Sequence, residues 1–155
     1  MRIQSAPGTL KRLRRTAGTF FQRTFETPRD RLPAFVASLL AGDSPILSAS
    51  ITVQAVVSPP DHLESLLASH HLALPPGADW SITAAGQQES QALLTAALGD
   101  AVDFYSLPDP KRFLLFADHD EYTTLFAARK GTLSRLAGTL AAGRVAEVSD
   151  YVRRV

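Results

Sequence analysis

At 155 residues, with 45% hydrophobic side chains, the chain is the size of one domain and has the apolar surface for a core without staples. The absence of cysteine excludes disulfides and thiolate metal sites. A net charge of +1 hides a division: residues 1–25 carry Arg2, Lys11, Arg12, Arg14, Arg15 and Arg23 and no acid, whereas residues 32–110 carry Asp43, Asp61, Glu64, Asp79, Glu89, Asp100, Asp103 and Asp109 and no Lys or Arg.

A split of this kind steers and orients partners without setting the fold. No apolar run approaches the roughly 18 residues needed to span a bilayer, and the N-terminus lacks the apolar core of a signal peptide. Frequent Ala, Leu and Arg beside scarce Lys suggest a GC-rich, bacterial genome. With the missing cysteine, the expected setting is cytoplasmic.

Residues 1–26 read as a basic N-terminal arm attached to a domain at 27–155. Within the arm, Thr9 to Thr16 suits a short helix with Leu10 and Leu13 on one side. Gly18 interrupts it, and Phe20, Phe21 and Phe25 add aromatic area. Such an arm has three candidate roles. It lies on the acidic body of its own or a neighbouring subunit, it meets phosphates or an anionic lipid surface, or it is an Arg-rich transit peptide.

The predicted elements then follow in order. A helix over Asp30 to Ala41 has Asp30 as its cap, Pro33 in its first turn and an apolar stripe of Leu32, Phe35, Val36, Leu39 and Leu40. Pro45 to Ser58 is a strand, because Ile51, Val53, Ala55 and Val57 alternate with Ser50, Thr52, Gln54 and Val56. Ser58-Pro59-Pro60-Asp61 opens a helix that runs to His71 with Leu63, Leu66, Leu67 and His70 on one side. After a turn at Leu74 to Asp79 comes a short strand, Trp80 to Thr83, and then a helix from Gly86 to Gly99.

Val102 to Ser106 is a strand leading to the stretch Lys111 to Ala128, two strands joined at Asp118-His119-Asp120-Glu121. Phe113, Leu114, Leu115 and Phe116 are apolar on both faces, the mark of a central strand covered on both sides. On the following strand, Tyr122, Thr124 and Phe126 share one face, and Glu121, Thr123, Leu125 and Ala127 the other. A helix over Thr132 to Ala142, a strand over Val145 to Val152 and the basic pair Arg153-Arg154 complete the chain. The order predicts an α+β fold: a single domain with a mainly antiparallel sheet, helices on one face and the basic arm in addition.

The Asp118-His119-Asp120-Glu121 turn is the densest polar cluster. An imidazole among carboxylates suits general acid/base work or a divalent metal. Side chains alternate on a strand, so only every second one converges, and a polar turn capped by Asp118 or Asp120 is the simpler reading. His62 and His70 are eight residues apart on one helix, too far to share a metal, and His70 and His71 diverge. They read as imidazoles near a helix C-terminus. Gly131-Thr132 after Arg129-Lys130 could hold an anion at a helix start. No nucleophile elbow, P-loop, dinucleotide fingerprint or zinc-protease motif is present.

The expected function is therefore binding or assembly without catalysis, and no cofactor or metal is expected. The partner is a protein or a sister subunit, contacted through Lys11, Arg12, Arg14, Arg15, Phe20, Phe21, Arg23 and Phe25. One alternative is a nucleic-acid-associated protein whose arm tracks phosphates. The other is a metal-dependent or acid/base enzyme centred on Asp118, His119 and Asp120, with Glu121.

Overall fold

The computed structural model describes residues 1–77, 79–110 and 112–155. Lys111, the first residue of the expected hairpin stretch, and Ala78, in the expected turn before Trp80, lie outside the described residues.

The described residues form an α+β domain with strands β1 (Arg2–Ser5), β2 (Phe21–Glu26), β3 (Ser48–Ala55), β4 (Trp80–Ala85), β5 (Asp103–Asp109), β6 (Leu114–Ala117) and β7 (Tyr122–Ala127). The helices are α1 (Thr9–Gly18), α2 (Leu32–Leu40), α3 (Asp61–Ser69), α4 (Gly86–Gly99) and α5 (Lys130–Ala142). The strands make one seven-stranded sheet in the order β1-β4-β3-β5-β6-β7-β2. Every neighbouring pair is antiparallel.

Strand alternation divides the apolar residues between the two faces. Ile51, Val53, Ile82, Phe104, Leu115 and Leu125 enter the main core with the stripes of α2, α4 and α5. Leu63 and Leu67 of α3 join it, and α3 packs on α4. Tyr105, Leu114, Phe116 and Phe126 point the other way, where Leu13 and Ala17 of α1 cover them. The continuous apolar run at 113–116 is thus buried on both sides. β4 passes into α4 without a loop, and the reversal is made by Gly86 at φ 73°, a conformation glycine adopts without strain.

The segment expected as an arm is built into the sheet instead. β1 is one edge, paired with β4, and β2 is the other, paired with β7; α1 crosses the second face between them. Phe21, Arg23 and Phe25 alternate with Gln22, Thr24 and Glu26, a strand period that the cationic character of the segment obscures. β1 is a four-residue edge strand with a polar sequence, too short to carry a pattern.

Two local expectations also change. Residues 145–152 do not form a strand; a single bridge, Phe25 to Glu147, is made, with Glu26 N donating to Ala146 O and Val148 N to Thr24 O. Asp30 does not cap α2. It lies in a 3-10 turn (Arg29–Arg31), and Arg31 precedes the helix and donates to Gly143 O and Arg144 O. No helix of the described residues is long and apolar enough to cross a membrane.

Candidate functional site

α1 is held by its apolar side. Leu13 and Ala17, four residues apart, face Leu114, Phe116 and Phe126, with Leu10 and Phe20 at the margin of the contact. The cations take the remaining positions: Lys11, Arg12, Arg14 and Arg15 are all exposed. Among the described residues no ion pair within 4.0 Å involves any of the four. The helix is therefore docked by apolar burial, and its charges are left over. Arg14 lies against the phenol of Tyr105. Burial pushes that phenol's pKa up, and the positive charges of Arg14 and Arg153 act against the shift.

The other residues expected to meet a partner are divided by the sheet. Phe25 is 2% exposed in the main core. Arg23 makes a two-pronged ion pair with Glu147, both N–O distances being 2.7 Å. Phe20 is half-buried beside α1. Phe21 is 47% exposed, with the Lys130 ammonium 5.1 Å from its ring centre. Lys130 thus sits over an aromatic ring at the start of α5, where the sequence suggested an anion.

Two recesses run along one flank of α1 and share Arg12, Leu13 and Leu107. One, of about 370 Å³, is walled by Phe20, Phe113 and Leu114. The other, of about 340 Å³, has a floor of short hydroxylated side chains from β3 and β4: Ser48, Ser50, Thr52, Ser81 and Thr83. The sequence held half of this signal, the polar alternates of β3. Their match with Ser81 and Thr83 depends on the pairing of Ser50 with Thr83 and Thr52 with Ser81, which only the sheet reveals.

The 118–121 turn sends its side chains to separate partners. Asp118 Oδ1 accepts from Tyr122 N at 3.0 Å, so Asp118 caps the turn. Its other oxygen is ion-paired with the Arg153 guanidinium. Arg153 also donates to Thr124 Oγ1 at 3.1 Å and lies 4.4 Å from the centre of the Phe116 ring. Gln22 grips the Arg153 backbone through both N–H and C=O.

His119 turns away towards Asp103, whose Oδ1 accepts from His119 N at 2.7 Å and lies 2.9 Å from Nδ1. Asp120 is 3.8 Å from the other ring nitrogen. The hydrogen bond to Asp103, then its charge, raise the imidazole pKa above the usual histidine value; desolvation opposes them. Glu121, at φ 67°, lies 3.5 Å from Arg29. Among the described residues no group of three His, Asp or Glu side chains is placed to hold a metal.

His62 is at the N-terminus of α3, not near a C-terminus, and repeats the pattern of His119. Buried Asp100 accepts from His62 N at 3.1 Å and Leu63 N at 2.8 Å, and its Oδ1 lies 2.6 Å from His62 Nδ1. A carboxylate from the end of α4 thus caps α3, whose start the sequence placed at Ser58-Pro59-Pro60-Asp61. The imidazole looks onto a broad surface hollow of about 650 Å³ between α3 and α4. His70 and His71 follow the last residue of α3, with His71 at φ 58°.

Compared with protein-family models, curated proteins and solved structures, the chain matches none of them.

Proposed function

We propose that the protein is a non-enzymatic binding or assembly protein that offers α1 to an acidic protein surface, a sister copy included. One observation carries this reading. Lys11, Arg12, Arg14 and Arg15 are exposed without acidic partners among the described residues, on a helix fixed by Leu13 and Ala17. With the helix backbone already fixed, only side-chain freedom is lost when a cation meets a carboxylate, so the array favours oriented binding. The exposed acids of residues 32–110, among them Asp43, Asp61, Glu64 and Asp109, give a second copy the complementary sign. The polar groups of the 118–121 turn support the same reading, because they serve internal contacts. The Arg-rich, Lys-poor, cysteine-free composition supports a bacterial cytoplasmic setting.

The test is photo-crosslinking in cells from a photoreactive side chain placed at Arg15. The expected adducts join position 15 to an acidic segment of one protein, or of this chain, and vanish when Lys11, Arg12 and Arg14 become Gln in a folded variant. Adducts to nucleic acid alone would instead favour phosphate contacts. Diffuse adducts that ignore the three substitutions contradict both readings.

A further inference from the structure

The hydroxyl-floored recess beside α1 has features that the partner reading leaves unused. The second face of an antiparallel sheet commonly meets water and carries long polar side chains. Here the facing positions of β3 and β4 are all short, and they leave a hollow of about 340 Å³ rather than a flat wet surface. Its floor is out of bulk water: Thr52 is 3% and Ser81 5% exposed, and their hydroxyls share a hydrogen bond of 2.7 Å. Ser48, Thr83 and Gln4 line the hollow and, among the described residues, form no side-chain hydrogen bond, so their donors and acceptors are available to what fills it.

Two opposite charges border the same small space. Arg12 lies on the helix wall and Asp109 at the end of β5, and the two are not within 4.0 Å of each other. Among the described residues neither charge has an ion-pair partner, so each can meet a ligand group. A guanidinium takes a carboxylate with two parallel hydrogen bonds. A carboxylate takes an ammonium. Between them, hydroxyls and an amide suit a polar body. A purely anionic ligand would be repelled by Asp109, and a neutral one would leave both charges unanswered.

We propose that this recess binds a small hydrophilic zwitterion of the amino-acid or dipeptide class, its carboxylate on Arg12 and its ammonium on Asp109. The cavity lies within the size range of small-ligand sites. The recess shares Arg12 and Asp109 with the charges offered to a partner, whereas its hydroxyl floor belongs to the ligand alone, so shifts confined to Ser50, Thr52, Ser81 and Thr83 report the ligand and crosslinks from position 15 report the partner.

The test is a titration of the full chain, followed by backbone amide NMR, with L-serine, L-glutamine and glycylglycine. N-acetyl-L-serine, L-serinamide and sorbitol are the controls. At least one zwitterion is expected to shift the amides of Ser50, Thr52, Ser81 and Thr83 saturably. Blocking either end should weaken binding about tenfold or more, the size of one lost charge-assisted contact. Arg12→Gln and Asp109→Asn, both at exposed positions and checked for an unchanged spectrum, should each do the same. No saturable shift with any of the three zwitterions overturns the proposal. So do shifts that sorbitol reproduces, or that survive both substitutions.

Discussion

Asp100 and Asp103 bracket the turn between α4 and β5, and each grips a histidine at two points, backbone N–H and ring nitrogen. For Asp100 the consequence is mechanical. Its buried carboxylate also receives Leu63 N, so Asp100→Ala leaves two helix-start donors without an acceptor. The expected loss is about 2 kcal/mol in urea unfolding. His62→Ala, which removes only an exposed ring, should cost far less.

For His119 the consequence is a pH dependence. Its folded pKa stands above the ordinary value of about 6.5, so the fold binds the protonated ring more tightly. The stabilisation is complete below that ordinary value and is lost as pH rises through the raised one. An NMR titration should find the His119 midpoint above the ordinary value. Asp103→Asn should lower it and weaken the dependence of stability on pH across the same window.

Arg153 is the third residue with a definite load. Its guanidinium is ion-paired with Asp118, bonds Thr124 and covers Phe116. Arg153→Ala leaves a largely enclosed carboxylate behind, an expected loss of about 3 kcal/mol by denaturant unfolding. Adding Asp118→Asn should recover part of it, because the uncompensated charge is then gone.

At the scale of elements, α1 separates two ways of holding a cationic segment. If apolar burial holds it, Leu13→Ala costs about 2–3 kcal/mol, and Arg15→Gln stays within about 0.5 kcal/mol of the parent. Thermal or urea unfolding of both variants decides the matter. What the sequence made legible follows the same physics. β3 and β7 carry alternating patterns, β6 a continuous apolar run, and the helices on the main-core face were readable from their stripes.

β2 was not readable, although Phe21, Arg23 and Phe25 alternate, because its partner β7 is about a hundred residues away and nothing local reports that pairing. The 145–152 segment failed in the opposite sense. Val145 and Val152 suggested a strand, but β2 accepts only one bridge there, and the chain then turns to bring Tyr151 onto Tyr122 and Arg153 into the sheet face. In the polar turn, the capping role of Asp118 was visible in sequence. The grip of Asp103 on His119 was not, since it joins the start of β5 to the turn after β6.

At the scale of the whole molecule, residues 1–26 do two things at once. They close both edges of a seven-stranded sheet, and they place on its second face cations that have no acidic partner among the described residues. Removing them would strip β1 from β4 and β2 from β7, so truncation cannot separate binding from folding and point substitutions must. An unpaired charge array on a rigid support is also what makes a fast, oriented, salt-sensitive encounter with an acidic surface.

Apolar packing of Leu13 and Ala17, rather than attraction between charges, locks α1 onto the sheet. Amide hydrogen exchange of Thr9–Gly18 at low and high NaCl tests this directly. Slow exchange, limited by global unfolding and equally slow at high salt, is the predicted result. Exchange near the rate of an open chain, or protection that fades as salt rises, would contradict it.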